Sequence, residues 1–205
     1  MISQKLPGKL SRKFYEQSTL QVARALLGKY LVVDDGIQRV GRIVETEAYQ
    51  GPQDQAAHSA RGITERNKIM FGAAGHAYVY LIYGMWNCVN VVTRAEGIPH
   101  AVLIRAIEPI ANLDNNCHGP GLLCKAYGID RQLNGTDLCG DRMWIEERTD
   151  ARRIKIKRAA RIGIDYAGDW AHKLWRFYDI DSAYVSTLTA AQRKRLQMVR
   201  DISQV

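Results

Sequence analysis

Two hairpin signals constrain this chain more than anything else in it. Tyr30–Val33 and Ile37–Thr46 are β-branched runs meeting across Asp34-Asp35-Gly36, and Ala77–Thr93 folds back on itself near Tyr83-Gly84. The first hairpin's second strand runs on into Glu45-Thr46-Glu47-Ala48-Tyr49, Ala101–Ile107 reads as a buried strand, and further strands are expected at 143–146, 154–164 and 175–180. Helix signals are few: Ser18 with Gln21 ahead of QVARALLG, stopped by Gly28; residues 119–127, stopped by Gly128; and Thr189 with Gln192 near the end. Strands and helices do not alternate as parallel βαβ units require. The expected class is α+β: a mixed domain around a curved, largely antiparallel sheet.

The 205 residues suit one domain spanning 1–205, and 46% hydrophobic with 24% charged residues excludes a disordered chain. No apolar run is long enough to span a membrane, and the N-terminal sequence has no signal-peptide core, so a soluble, non-secreted, cytoplasmic protein is expected. Cys88, Cys117, Cys124 and Cys139 show no CxxC or paired metal spacing, which predicts packed thiols and neither a disulfide framework nor a zinc site. The net charge of +8 is unevenly spread: +5 over residues 1–33, −4 over 34–150 and +7 over 151–205. Basic flanks around an acidic middle suit a protein that grips a polyanion at its periphery and does chemistry at its centre, although many soluble proteins are basic without such a partner.

Alternation along a strand puts Glu45, Glu47 and Tyr49 on one face, where paired carboxylates can supply a general base or simply wet an edge. Arg105 interrupts the apolar AVLIRAI; it either pairs with Glu45 or Glu47 or snorkels out at a strand end. Tyr78, Tyr80, Tyr83 and Trp86 crowd the second hairpin. With Gly84 at the turn, Tyr83 and Met85 stand at its tip, a shape suited to entering a minor groove, while Tyr80 can stack on an extruded base or fill the sheet face. One of Asn87 and Asn90 is expected to serve hydrogen bonding or shape, or equally to flank the turn. Residues 50–76 are too long and polar for a plain connector, and they carry His58, a candidate ligand contact or surface residue. The alternating basic run Arg152, Arg153, Lys155, Lys157, Arg158 fits either phosphate contact or solubility.

Taken together, GRIVETEAY (41–49), His58-Ser59, NKIMFGAAGHAYVYLIYGMWNCVNVVT (67–93), VLIRAIEP (102–109), GPGLLCKAYGI (119–129) and RFY (176–178) closely resemble the alkyladenine (3-methyladenine) DNA glycosylase family, over roughly residues 14–187. The resemblance implies a compact mixed fold with a protruding DNA-intercalating β-hairpin. It also implies a monofunctional base-excision enzyme that flips damaged purines from duplex DNA and hydrolyses the N-glycosidic bond with water, needing no metal or cofactor. On this resemblance Glu47 is the general base. Arg105 and the Ile162 carbonyl help to hold the water, and Tyr49, His58 and Tyr80 sandwich the base. Tyr83, beside Met85, fills the vacated stack, and Asn90 disfavours the amino group of guanine.

The sequence departs from the family pattern at Glu65, Leu174 and Ala183, where prolines are common. The substrates implied are 3-methyladenine and 7-methylguanine, and beyond them hypoxanthine and ethenoadenine. An already cationic purine needs little leaving-group help, and aromatic walls suit it. No lysine stands in the motif positions for Schiff-base chemistry, so no lyase activity is expected. The partner expected is double-stranded DNA carrying damaged purines, engaged by a monomer in a bacterial nucleoid rather than a nucleus. The competing readings are a non-catalytic binder of damaged DNA and a hydrolase of free nucleosides; the second leaves Tyr83 and the basic flanks without a purpose.

Overall fold

The computed structural model describes residues 8–148 and 153–202. Its elements in chain order are α1 (Arg12–Tyr15), α2 (Thr19–Ala25), β1 (Tyr30–Asp34), β2 (Gln38–Gln50), β3 (Ala77–Ile82), β4 (Trp86–Thr93), β5 (His100–Ala111), α3 (Pro120–Tyr127), β6 (Met143–Glu146), β7 (Ile156–Ala159), β8 (Arg176–Asp179) and α4 (Ala190–Ile202). The eight strands form one curled sheet in the order β3-β4-β5-β2-β1-β6, with β8 on β2 and β7 on β8. The strand pairs are antiparallel, as the hairpin signals require. Among the described residues no helix is long and apolar enough to cross a membrane.

Period-2 alternation divides the sheet into two faces. Val79, Val89, Val91, Val102 and Ile104 point into the main core, which they share with Tyr15 of α1, Leu26 at the end of α2 and Leu123 of α3. Each such side chain, fully buried, contributes roughly 1.5–3 kcal/mol. Tyr78, Tyr80, Asn90, Leu103 and Arg105 occupy the other face and line a cavity. A single row of cross-strand neighbours, Glu47, Leu103, Asn90 and Tyr78, crosses β2, β5, β4 and β3.

Several local expectations need correction. The strand expected over 154–164 spans only Ile156–Ala159; the segment beyond it leaves the sheet and folds over Glu47. Arg152 of the basic run lies outside the described residues. In β7 the expected alternation is weak: Ile154 packs on the core, while Ile156 is exposed on this outlying strand. Ser18 does precede α2, but its hydroxyl donates to the Gln21 side chain at 2.6 Å rather than accepting from the helix backbone, so it is not a reciprocal box. Thr189 and Gln192 do form one, through Gln192 N–H to Thr189 Oγ1 and Thr189 N–H to Gln192 Oε1. Gly128 ends α3 at φ 70°, a left-handed position that favours glycine.

Candidate active site

The site begins with an irregularity in the central strand pair. The β2–β5 register shifts between Ile43 and Glu45 and again between Glu45 and Thr46, leaving Val44 and Arg105 without direct partners. Bulges of this kind re-aim side chains. Here Arg105 lies between the two carboxylates, with Nε 3.3 Å from Glu45 Oε1 and Nη1 3.3 Å from Glu47 Oε2. Both glutamates are fully buried in the middle of the sheet, so the wet-edge reading of the ETEAY face and the snorkelling reading of Arg105 do not hold.

The two carboxylates have different partners. Glu45 is enclosed structurally: Oε1 accepts from Arg176 Nη1 at 3.0 Å and Ser186 Oγ at 3.0 Å, and Oε2 accepts from Ser186 N–H at 2.7 Å. Glu47 is held by the cavity's own lining, with Oε2 accepting from the Tyr49 hydroxyl at 2.8 Å and Oε1 from the Ile162 N–H at 2.8 Å. Burial raises the Glu47 pKa and outweighs the opposing effects of Arg105, Tyr49 and the Ile162 amide. Burial followed by the Glu47 charge lifts the Tyr49 phenol well above its usual range, keeping it a donor. For Arg105, burial opposes the charge, but Glu47 and then Glu45 outweigh it.

Of the residues expected at the site, Tyr49, His58, Tyr80, Tyr83, Asn90, Arg105 and Ile162 line one cavity of about 330 Å³. Glu47 lies directly beneath Tyr49, Arg105 and Ile162 and does not itself line the cavity. Ile162 meets Glu47 through its N–H; the water-holding role that the resemblance gives its carbonyl is separate from this bond. His58 stands edge-on to Tyr80, with centroids 4.4 Å apart, and its Nδ1 is 2.8 Å from the Tyr78 hydroxyl. Burial of the packed side of the ring, with help from Arg66, pushes His58 down to about 4, so the imidazole is neutral at physiological pH. Asn90 Nδ2 donates to the Tyr78 carbonyl at 3.0 Å, fixing the amide against β3.

At the hairpin tip Tyr83 and Gly84 both take positive φ, and Met85 N–H donates to Ile82 C=O at 3.2 Å, a type I′ turn. Tyr83 is 81% and Met85 69% exposed. Packing explains neither.

Four supporting groups were not legible in the sequence. Arg161 is buried and forms a bidentate pair with Asp54, bonds Ala48 C=O at 2.9 Å, and lies 4.7 Å from the Tyr49 ring centroid. Asn67 pins the loop that carries His58, donating to His58 C=O at 2.8 Å and Gly62 C=O at 2.9 Å. Arg66 lies 5.2 Å from the Tyr80 ring centroid and donates to Leu81 C=O at 2.9 Å. Arg176 donates to Ala160 C=O at 2.9 Å, bringing the turn before Ile162 to the buried carboxylates. Asn67 and Arg176 fall inside motifs quoted above, which gave no sign of these bonds; Arg66 and Arg161 are single polar residues outside those motifs, brought to their partners by the fold. Glu65, at one of the departing positions, is paired with Lys68 at 2.8 Å. Among the described residues no group of three or more His, Cys, Asp or Glu is placed to hold a metal ion, and the four cysteines are free.

Comparison with known proteins gives the family. A family model described as methylpurine-DNA glycosylase matches residues 13–183. A protein of Legionella pneumophila (strain Corby) with 3-methyladenine DNA glycosylase in its name is 54% identical over 179 residues, covering 87% of this chain and 98% of the relative. Similarly named proteins of Anaeromyxobacter sp. (strain Fw109-5) and the archaeal Methanocella arvoryzae are 53% and 50% identical over 180 and 192 residues, covering 87% and 86% of this chain and 92% and 95% of their own lengths. The bulged β2–β5 pair, the buried Glu47 and the aromatic cavity are therefore features of a chain that belongs to the methylpurine-DNA glycosylase family, enzymes of base-excision repair.

Proposed function

We propose that this chain, acting as one domain and as a monomer on cytoplasmic DNA, is a monofunctional glycosylase that flips damaged purines out of a duplex and hydrolyses their N-glycosidic bond. The observation that carries the reading is the Glu47 carboxylate, buried beneath Tyr49, Arg105 and Ile162 at the floor of an aromatic cavity large enough for a purine. A water admitted between these groups gives its proton to Glu47 while Arg105 holds it toward C1′. Burial lifts the Glu47 pKa above the usual carboxylate range, which strengthens it as a base while leaving it ionised when the pH is higher still. Tyr49 and the Tyr80–His58 pair form the walls of the base site, and Asn90 stands where an exocyclic amino group would crowd it. Tyr83 and Met85, exposed on a rigid turn, are suited to filling the gap the base leaves.

The substrates proposed are 3-methyladenine and 7-methylguanine, with hypoxanthine and ethenoadenine as neutral purines. A neutral His58 does not repel a cationic base. The test is single-turnover excision from duplexes carrying one lesion, with wild type and Glu47→Gln, using alkali to reveal abasic sites. Wild type is expected to release the base, and Glu47→Gln to lose at least about a hundredfold in rate, as expected when a general base is removed. Tight binding of lesion duplexes without release of any base, methylated purines included, would instead identify a damage binder. Strand cleavage without alkali would contradict the monofunctional reading.

A further inference from the structure

Glu45 has no part in the chemistry proposed above, yet it is as deeply buried as Glu47. Its two oxygens are not treated alike. Oε1 is approached by three donors, Arg176 Nη1 and Ser186 Oγ each at 3.0 Å and Arg105 Nε at 3.3 Å, while Oε2 takes the Ser186 N–H at 2.7 Å. A carboxylate oxygen offers two lone pairs, so the two nearer donors leave Arg105 as the outer partner. The same guanidinium puts Nη1 3.3 Å from Glu47 Oε2 and Nη2 3.5 Å from Ser186 Oγ. Ser186 thus touches both members of the Glu45–Arg105 pair, donating to one and accepting from the other. It is delivered by the segment after β8, which Arg193 of α4 holds by donating to Ala183 C=O at 2.5 Å and Leu188 C=O at 3.3 Å. Ser186 does not line the cavity, and it lies beyond the stretch 13–183 that the family model matches.

We propose, on the glycosylase reading above, that Ser186 is a positioning residue: by occupying Glu45 it keeps Arg105 extended toward Glu47 and the attacking water. The two glutamates compete for one guanidinium. With the Ser186 hydroxyl in place, Glu45 is satisfied by Ser186 and Arg176, and the Nη1 end of Arg105 stays with Glu47. Without that hydroxyl a lone pair of Glu45 Oε1 opens, and the guanidinium is drawn toward Glu45 and away from the water. Glu47 then has a more distant cation and a less satisfied carboxylate beside it, and both make its ionised form costlier. The other groups facing Glu47 do not titrate with it. Arg105 and the cross-strand Arg176 stay charged. Burial keeps the phenols of Tyr49 and Tyr80 well above their usual range and lifts the Cys88 thiol to about 11. His58, at about 4, titrates below Glu47.

The test is single-turnover excision against pH, at saturating enzyme, on a duplex carrying one 7-methylguanine, whose positive charge removes leaving-group protonation from the profile. Ser186→Ala keeps the backbone N–H on Glu45 and loses only the hydroxyl. It is expected to lower the plateau rate about tenfold, the scale of one hydrogen bond to a charged group. The acid limb should move up by about 0.3–1 pH unit, with the half-saturating enzyme concentration unchanged. Ser186→Thr, which keeps a hydroxyl, should restore both rate and limb. Glu45→Gln should move the limb the other way, because Arg105 and Arg176 then face Glu47 alone. Melting temperatures identify the variants that fold, and if Glu45→Gln does not, the Ser186 pair decides. A wild-type plateau and limb in Ser186→Ala, a lower plateau with the limb unmoved, or Ser186→Thr no better than Ser186→Ala would overturn the proposal and leave the glycosylase reading intact. So would an upward shift in Glu45→Gln. Failure of wild type to release the base would overturn both.

Discussion

At the scale of single residues, the buried Glu47 carboxylate works against stability. Glu47 is fully buried, and burial is the largest influence on its pKa, which is raised. A group whose folded pKa lies above its unfolded one contributes stability that is fully present below the unfolded pKa and is lost as pH rises through the folded value. Ionising Glu47 therefore costs more in the fold than in the unfolded chain, even with Arg105, Tyr49 and the Ile162 amide on it. Replacing it with neutral Gln keeps an acceptor for Ile162 N–H and removes that cost. Glu47→Gln is expected to melt above wild type at pH 7, and the gap should close as pH falls toward 4.5, the ordinary glutamate value. Thermal unfolding at several pH values would measure it, and a less stable variant at pH 7 would show that the Arg105 pair dominates instead. Such an exchange of activity for stability is common where a site needs a strained or desolvated group.

At the scale of elements, the site depends on how the long loop after β2 is seated. Gly51 begins it, and a Cβ there would lie 1.8 Å from Ser59 Oγ and 3.2 Å from the Pro99 carbonyl oxygen. Ser59 is in turn bonded to that carbonyl at 3.0 Å. The close approach places the 58–61 turn, and with it His58, against Tyr78 and Tyr80. Gly51→Ala should therefore cost about 1–3 kcal/mol through overpacking. It should also slow base excision more than such a loss of stability explains, because His58 moves with the loop. Melting temperature and single-turnover rate together test this; a variant with both unchanged would mean that the loop can reseat without its glycine. Asn67, Asp54 and Arg161 complete the seat through hydrogen bonds to backbone, which is why a segment with little regular structure can present a defined wall.

At the scale of the whole molecule, charge and sheet topology agree. The basic strand β7 hydrogen-bonds to β8, and β8 pairs with β2 at Glu45–Glu47, so the basic C-terminal segment is joined to the strand that carries Glu47. A polyanion held along that edge reaches the cavity without leaving the sheet. Lys157 is exposed on β7 and, among the described residues, has no carboxylate partner. Lys157→Gln is expected to weaken binding to undamaged duplex and to reduce the slope of log affinity against log salt by about one, with the saturating excision rate unchanged. Anisotropy titrations at several salt concentrations would decide it. An unchanged slope would move the DNA path off this strand.

The sequence by itself determined the two hairpins, the short helices with their glycine stops and the antiparallel class, because these depend on local turn chemistry and on the period of apolar residues. It also placed Glu47, Tyr49, Tyr80, Tyr83, Asn90 and Arg105, since strand alternation and long contiguous motifs carry them. It did not determine that β7 ends at Ala159 and that the following turn folds over Glu47, nor that Ile162 meets the carboxylate through its N–H. Strand alternation could not divide the labour of the two glutamates, although the motif resemblance singled out Glu47: on one strand face Glu45 and Glu47 look equivalent until Arg176 and Ser186 enclose one and cavity residues hold the other. Arg161 with Asp54, and Arg66 over the Tyr80 ring, were likewise decided only by the tertiary structure. The physical reason is common to all of them: a charged side chain's role is set by the partners that desolvate and neutralise it, and here those partners are distant in sequence and brought together by the register of the sheet and one bulge at its centre.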